Sequence, residues 1–250
     1  MSVSFAPQIP LKNRLLTAIL SEEYSRLKPK LEAVSLPFKQ VIYEPGDPIE
    51  YVYFLNSGVV SLLTVMEDGT AEVALVGNEG MVGLPIFLEV DTMPIKAIVQ
   101  GPGDAMRIKA DIFKDAVTQH HRLRSLLQHY THALMFQISQ AVACNHYHSV
   151  KERYCRWLLM THDRMQSDQF PLTQEFLSEM LGVRRASITM VAKRLQQAGL
   201  IRYSRGQITI LDRLGLESAC CKCYELVKEE FDRLLGSQST TSPTRGDVCP

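Results

Sequence analysis

The stretch from 172 to 211 most restricts what this chain can become, because its apolar residues, glycines and charges together admit few arrangements. Thr173 is a good helix N-cap, and Phe176, Leu177, Met180 and Leu181 follow at helical spacing. Gly182 ends that helix. A second stripe, Ile188, Val191, Ala192 and Leu195, leaves Arg185, Thr189, Lys193 and Arg194 on the opposite face. Gly199 suits the left-handed position after this helix, with Leu200 placed against Leu195 in a Schellman cap. Two short helices around a glycine turn, the second basic on its outer face, make the pattern of a helix-turn-helix.

Between Glu179 and Asp212 there is no acidic residue, whereas Arg184, Arg185, Lys193, Arg194, Arg202 and Arg205 are basic. Such a segment attracts a phosphate backbone with salt-dependent affinity. Residues 201–204 and 207–211 alternate around Arg205-Gly206, which predicts a hairpin wing. The whole chain is balanced at 27 basic and 27 acidic residues, so without those six the remainder carries 21 against 27. A basic module is joined to an acidic one.

The length of 250 residues suits about two domains. The N-terminal residues contain no apolar run of signal-peptide or membrane-span length, so a cytoplasmic protein is expected. Cys144, Cys155, Cys220, Cys221, Cys223 and Cys249 do not amount to a disulfide framework in a chain this long. The polar segment 237–250 is expected to be disordered.

Residues 11–35 carry helical spacing through Leu15, Leu16, Ile19, Leu20, Tyr24, Leu27 and Leu31. The period then changes. Short runs at 40–43, 51–56, 59–65, 71–76, 97–99 and 105–108, separated by turn residues, predict an antiparallel barrel or double-sheet roll. Asp68-Gly69 is the clearest hairpin turn. After 110 the helical period returns, and Leu123, Leu127, Tyr130, Leu134, Gln137, Ala141 and Cys144 alternate steps of four and three, the seam of a coiled coil. Leu123, Leu127, Tyr130, Leu134 and Ala141 are therefore expected to pair two copies of the chain; packing on the chain's own β domain is the alternative. A break at 146–149 precedes a further helix over 150–164, which leads into the basic module.

A β-roll, a long helix and a winged helix-turn-helix in this order resemble the Crp/Fnr family of bacterial transcription regulators, from about residue 38 to 214. The most specific phrases are L-T-Q-E-F-L-S-E-M-L-G-V-R-R-A-S-I-T and G-V-V-S-L-L…D-G-T-A-E-V-A-L-V-G-N-E-G-M-V-G. The resemblance implies an α+β fold. An antiparallel roll of the cyclic-nucleotide-binding type with N-terminal helices would occupy 1–119, a dimerisation helix 120–148, the winged helix-turn-helix 149–236 and a tail 237–250. It also implies a homodimer on a palindromic double-stranded DNA operator, contact with RNA polymerase, and a small-molecule or redox signal sensed in the roll.

Departures from the family pattern sharpen this expectation. Cyclic-nucleotide-binding members carry G-E for the ribose and R-S or R-T for the phosphate, and the aligned positions here are Gly83-Leu84 and Ile95-Lys96. Leu84 cannot accept a hydrogen bond, and Ile95 cannot make an arginine's bidentate phosphate contact. This degenerate effector pocket predicts no cyclic AMP binding, and no cofactor is expected. No cysteine precedes Cys144, so the N-terminal iron–sulfur ligands of oxygen-sensing members are absent. In the recognition helix Arg184, Arg185 and Ala186 stand where the family often has serine, arginine and glutamate. The resemblance thus gives Arg185 a bidentate contact with guanine O6 and N7, while Ala186 and Met190 predict a different operator. Thr173, Ser187, Lys193, Arg194 and Arg205 are assigned to phosphates; Arg184 and Thr189 complete the candidate DNA-binding set.

All seven histidines, His120, His121, His129, His132, His146, His148 and His162, fall in one window. His129 with His132, or Cys144 with His148, could share a metal, and Cys220-Cys221-x-Cys223 is compact enough for a soft metal or a thiol switch. With no closed set of four ligands evident in the sequence, no metal site is expected; a haem- or metal-dependent sensor built on the His/Cys cluster of 120–162 is the alternative. Gly77-Asn-Glu-Gly80-Met-Val-Gly83 lacks the strand–turn–helix context of a nucleotide loop and is assigned to turns. A cupin-like metalloenzyme is the remote alternative, disfavoured because His146 and His148 share a face only on a strand. The chain is expected to be no enzyme but a homodimeric DNA-binding transcription regulator, responding to a signal other than cyclic AMP or binding DNA constitutively.

Overall fold

The computed structural model describes residues 11–236, so the 237–250 tail lies outside the described residues. The alternating runs become strands β1 (Glu32–Leu36), β2 (Val41–Tyr43), β3 (Tyr51–Leu55), β4 (Val59–Met66), β5 (Gly69–Val76), β6 (Met81–Val82), β7 (Lys96–Gly101) and β8 (Gly103–Lys109). They form two antiparallel sheets, ordered β1-β8-β3-β6 and β2-β7-β4-β5, with Val52, Phe54, Val60, Leu75, Val99 and Ile108 buried. This is the expected double-sheet roll. The β4–β5 hairpin turns on Glu67-Asp68, one residue earlier than the sequence suggests, because Gly69 already pairs with Met66.

Helical spacing misled at the N-terminus. After α1 (Arg14–Ala18) and α2 (Ser21–Leu27) the chain tightens into a 3-10 turn at Lys28–Lys30, where Pro29 lacks a donor, and Glu32–Leu36 is strand rather than helix. Pairing with β8 satisfies backbone groups that a frayed helix end would leave to water. A single-turn helix α3 (Leu84–Phe87) and the two-residue β6 were too short to leave a periodic signal.

Helices α4 (Ala110–Gln119), α5 (His121–Tyr147) and α6 (Val150–Met165) follow. Ser149 and Glu152 close a capping box that starts α6 at the expected break. The module contains β9 (Gln169–Pro171), α7 (Gln174–Leu181), α8 (Arg185–Gln197), β10 (Ile201–Ser204), β11 (Gln207–Ile210) and α9 (Arg213–Ala219), and α10 (Cys223–Leu235) returns to lie along α5.

The stripe expected to pair two copies is used inside the chain. Leu123, Leu127, Tyr130, Leu134, Gln137, Ala141 and Cys144 are all buried without any partner chain. Tyr130 Oη donates to the Met81 carbonyl at 3.0 Å, Gln137 Nε2 to the Leu75 carbonyl at 3.0 Å, and the Tyr130 and Phe231 rings lie 6.4 Å apart. The seam assignment is therefore corrected: a stripe of this length and apolarity has a roll on one side and α10 on the other to cover it. A second heptad line, Thr131, Met135, Ile138 and Val142, lies off that buried stripe, with Met135 63% and Val142 66% exposed and Thr131 and Ile138 half-buried.

Two glycines of the 77–83 segment serve this packing. A Cβ on Gly80 would overlap the Tyr130 ring, and one on Gly77 would overlap the Arg164 stem. Arg164 forms a buried ion pair with Glu79 at 2.7 Å and donates to the Met160 carbonyl at 2.9 Å and Gln137 Oε1 at 3.3 Å. The segment is a close-approach clasp for α5 and α6 as well as a turn.

A second carboxyl joins the roll to α6. Glu72 on β5 accepts from Trp157 Nε1 at 3.1 Å and from Ser61 Oγ at 2.7 Å. Desolvation pushes its pKa up from 4.5 to about 7, although the Ser61, Arg156 and Trp157 contacts oppose this. Folded Glu72 thus keeps a proton that the unfolded chain releases near pH 4.5, so its contribution to stability falls as pH rises from about 4.5 to about 7. Glu72→Gln is expected to remove that slope and to stabilise the protein at pH 8 by about 1–2 kcal/mol, a value discounted because the residue is only partly buried. Thermal melts of both proteins from pH 5 to pH 8 check this; parallel curves would refute it.

Candidate nucleic-acid interface

The helix-turn-helix is built as its sequence dictates. Thr173 Oγ1 accepts the Phe176 backbone N–H at 3.1 Å and starts α7. Gly182, at φ +60°, ends it, and the Val183 N–H returns to the Ser178 carbonyl at 3.0 Å. Arg184 is the N-cap of α8, whose Ile188, Val191, Ala192 and Leu195 are buried. At its far end Gly199 sits at φ +73° and donates to Gln196, while Leu200 donates to Leu195, both at 3.0 Å, completing the expected Schellman cap.

The outer face carries what the spacing placed there. Arg184, Arg185, Thr189, Lys193 and Arg194 are exposed, and Ser187 is half-buried. Thr189 Oγ1 donates to Gln174 Oε1 at 2.6 Å, tying the outer edges of α7 and α8 together. Met190 is 50% exposed in the middle of this face. Among the described residues, none of Arg184, Arg185, Lys193, Arg194, Arg202 or Arg205 forms an ion pair. Six basic groups thus face solvent with no internal counter-charge.

The wing is the β10–β11 hairpin, with Ser204 opposite Gln207 and the turn residues Arg205 and Gly206 at φ +48° and +75°. Positive φ at both positions is the mirror-image turn that suits a twisted hairpin, where asparagine followed by glycine is the favoured pair. An arginine held there costs on the order of 1 kcal/mol in backbone strain. The Leu172 N–H donates to the Gly206 carbonyl at 2.8 Å, which seats the wing tip beside Thr173. Strand β9, paired with β11, adds a third strand that three residues of sequence could not announce.

The degenerate effector positions lie apart from this face. Gly83, at φ +95°, precedes α3, and Leu84 and Ile95 are half-buried. Lys96 Nζ is paired with Glu44 Oε1 at 2.8 Å, so its charge is committed. Two cavities of about 590 Å³ open elsewhere: one among Ile86, Phe113, Val117 and Arg124, the other among Arg14, Met160, Arg213 and Phe231.

The histidine window divides. His132 pairs with Glu230 at 3.1 Å and His162 with Asp168 at 2.8 Å, so neither converges with His129 on a shared ligand position. Cys144, His148, Cys221 and Cys223 do converge, with ligand atoms all within 4.8 Å of one another. Neither pair is complete in sequence; α10 brings them together. Hydrogen bonds from Cys144 and Cys220 push the Cys221 thiol down, and the same contacts push those two thiols up.

Comparison with known proteins agrees with this architecture. Residues 33–120 match the cyclic nucleotide-binding domain family and residues 152–219 the Crp-like helix-turn-helix domain family. A protein named global nitrogen regulator from Synechocystis sp. is 22% identical over 216 residues, covering 82% of this chain and 95% of that protein. Among solved structures, FixK2 from Bradyrhizobium japonicum superimposes with a TM-score of 0.64 at 17% identity, covering 76% of this chain and 98% of FixK2. A CRP-family transcriptional regulator from Thermus thermophilus gives 0.60 at 18% identity, covering 75% of this chain and 95% of that one.

No atom lies within 4 Å of a Cβ built on Gly199, so a substitution there meets backbone strain alone. Gly199→Ala is expected to destabilise the protein by about 1–2 kcal/mol without altering the buried face of α8. Chemical denaturation measures the loss, and an unchanged midpoint would contradict the cap assignment.

Proposed function

We propose a function from the premise that the chain belongs to the Crp/Fnr family of transcription regulators. It acts as a homodimer that places two α8 helices in successive major grooves of a palindromic operator. The observation that carries this is the outer face of the module, six basic residues with no acidic residue between Glu179 and Asp212 and no ion pair among the described residues. Arg185, near the N-terminus of α8, reads a guanine through O6 and N7. Arg184, Thr189, Ser187, Thr173, Lys193 and Arg194 line the phosphate backbone, and Arg205 reaches it from the wing tip. The strained backbone of Arg205 supports this assignment, because the turn itself favours other residues.

Dimerisation uses the outward line of α5. Thr131, Met135, Ile138 and Val142 keep the steps of four and three that a paired helix requires; Met135 and Val142 are exposed in the single chain and Ile138 is half-buried. The signal is not a cyclic nucleotide: Leu84 and Ile95 offer no polar contact, and Lys96 is held by Glu44. The protein is a non-enzymatic regulator that contacts RNA polymerase in the cytoplasm, and among the described residues no helix is long and apolar enough to cross a membrane.

Arg185→Ala is expected to weaken operator binding by about 1–3 kcal/mol and to relax preference at one base pair per half-site, whereas Lys193→Ala weakens all sequences alike and reduces the salt slope by about 1. Selection from a random DNA pool, repeated with each variant, reads both effects. Unchanged base preference in Arg185→Ala would defeat the assignment.

Met135→Glu combined with Val142→Glu is expected to give a folded monomer that binds operator weakly. A dimer that survives this change in sedimentation analysis would place the seam elsewhere.

A further inference from the structure

Cys144 lies in the last turn of α5, His148 is its C-cap, and Cys221 and Cys223 flank Lys222, the N-cap of α10, so residues 77 apart in sequence meet at the elbow between α5 and α6. Their ligand atoms form a compact set. Cys144 Sγ lies 3.6 Å from Cys221 Sγ, and Cys223 Sγ lies 3.5 Å from His148 Nδ1. A tetrahedral ion with metal–sulfur bonds of about 2.3 Å and metal–nitrogen bonds of about 2.0–2.1 Å has edges of about 3.8 Å between sulfurs and about 3.6 Å between sulfur and nitrogen. The Cys144–Cys221 and Cys223–His148 separations are close to those edges, and all four ligand atoms lie within 4.8 Å of one another. An envelope this tight encloses one ion and leaves no room for several irons with bridging sulfides.

The surroundings suit a bound cation. Cys144, Cys221 and Cys223 are buried and form a small cluster separate from the main core. Gln140 Nε2 donates to Cys223 Sγ at 3.1 Å, which orients one ligand. Arg153 and Arg156, buried and each with an unpaired Nε, lie within electrostatic reach of Cys144 and offset the net negative charge of three thiolates around a divalent ion. Cys220 packs against this cluster but is not one of the four converging ligands, and its Sγ also lies 3.9 Å from the Glu152 carbonyl.

We propose that Cys144, His148, Cys221 and Cys223 form a closed tetrahedral site for one zinc-class divalent ion, which clamps α10 to the α5–α6 elbow. Three sulfurs and one imidazole nitrogen leave no open position, so the ion's role is structural. It ties the start of α10 to the point where the long helix hands over to the DNA-binding module. This claim stands independently of which bases Arg185 contacts, since its readout is the metal.

The test uses the full chain purified under reducing conditions. Elemental analysis is expected to find one zinc per chain retained through gel filtration, and cobalt(II) exchanged into the site to give the intense visible bands of a tetrahedral centre with thiolate charge transfer. Cys223→Ser and His148→Ala are expected to lose the metal, Gln140→Ala to bind it about tenfold more weakly, and Cys220→Ser to keep it. Wild-type cobalt spectra keep the test decisive if a ligand variant fails to fold. A reduced, folded wild-type chain that takes up neither ion, or that gives only the weak octahedral cobalt spectrum, overturns the proposal, as does metal loss in Cys220→Ser but not in Cys223→Ser.

Discussion

The Arg164–Glu79 ion pair holds the three parts of this protein in one arrangement. Both side chains are more than nine-tenths buried, and a buried charge left unpaired is strongly destabilising. Arg164 therefore has to find Glu79 of the roll, Gln137 of the long helix and the Met160 carbonyl of its own helix together. Few relative placements of roll, α5 and α6 satisfy all three. The glycines at 77 and 80 follow from this requirement, since any side chain there would push Arg164 or Tyr130 away from its partners.

With α5 clasped in this way, its two faces take different tasks. The richer stripe, Leu123 to Cys144, is consumed by the roll and α10. The poorer one, through Met135 and Val142, is left outward. Both repeat every seven residues, so periodicity cannot rank them; what ranks them is how much apolar surface the rest of the chain supplies on each side. A modest outward seam of this kind would hold two paired helices together without a core large enough to freeze their relative rotation.

The elbow after Tyr147 is the other place where geometry concentrates. The capping box of Ser149 and Glu152 starts α6 after the break, and the cysteine–histidine cluster gathers at the end of α5 just before it. An ion there would stiffen the segment that links the long helix to the module. The Arg164 clasp and the Cys/His cluster thus lie near the two ends of α6, one joining it to the roll and the other joining the end of α5 to the start of α10.

Much of the fold was legible from local sequence, since caps, turn glycines and alternation are settled within a few residues of each other. Thr173, Gly182, Gly199 and Arg205-Gly206 specified the module almost to the residue, and the acid-free window marked its outer face. Elements too short to repeat their period several times, such as β6, β9 and α3, left no signal. The helical spacing assigned to 11–35 ran into β1, but Glu32–Leu36 became strand because β8 offered backbone partners. The face of α5 that meets the core, and the meeting of Cys144 and His148 with Cys221 and Cys223, depend on where distant segments return in space. Sequence by itself determined the local elements and the chemistry each residue can offer; the tertiary structure alone decided which of them are neighbours, because burial and ligand convergence are properties of the packed chain.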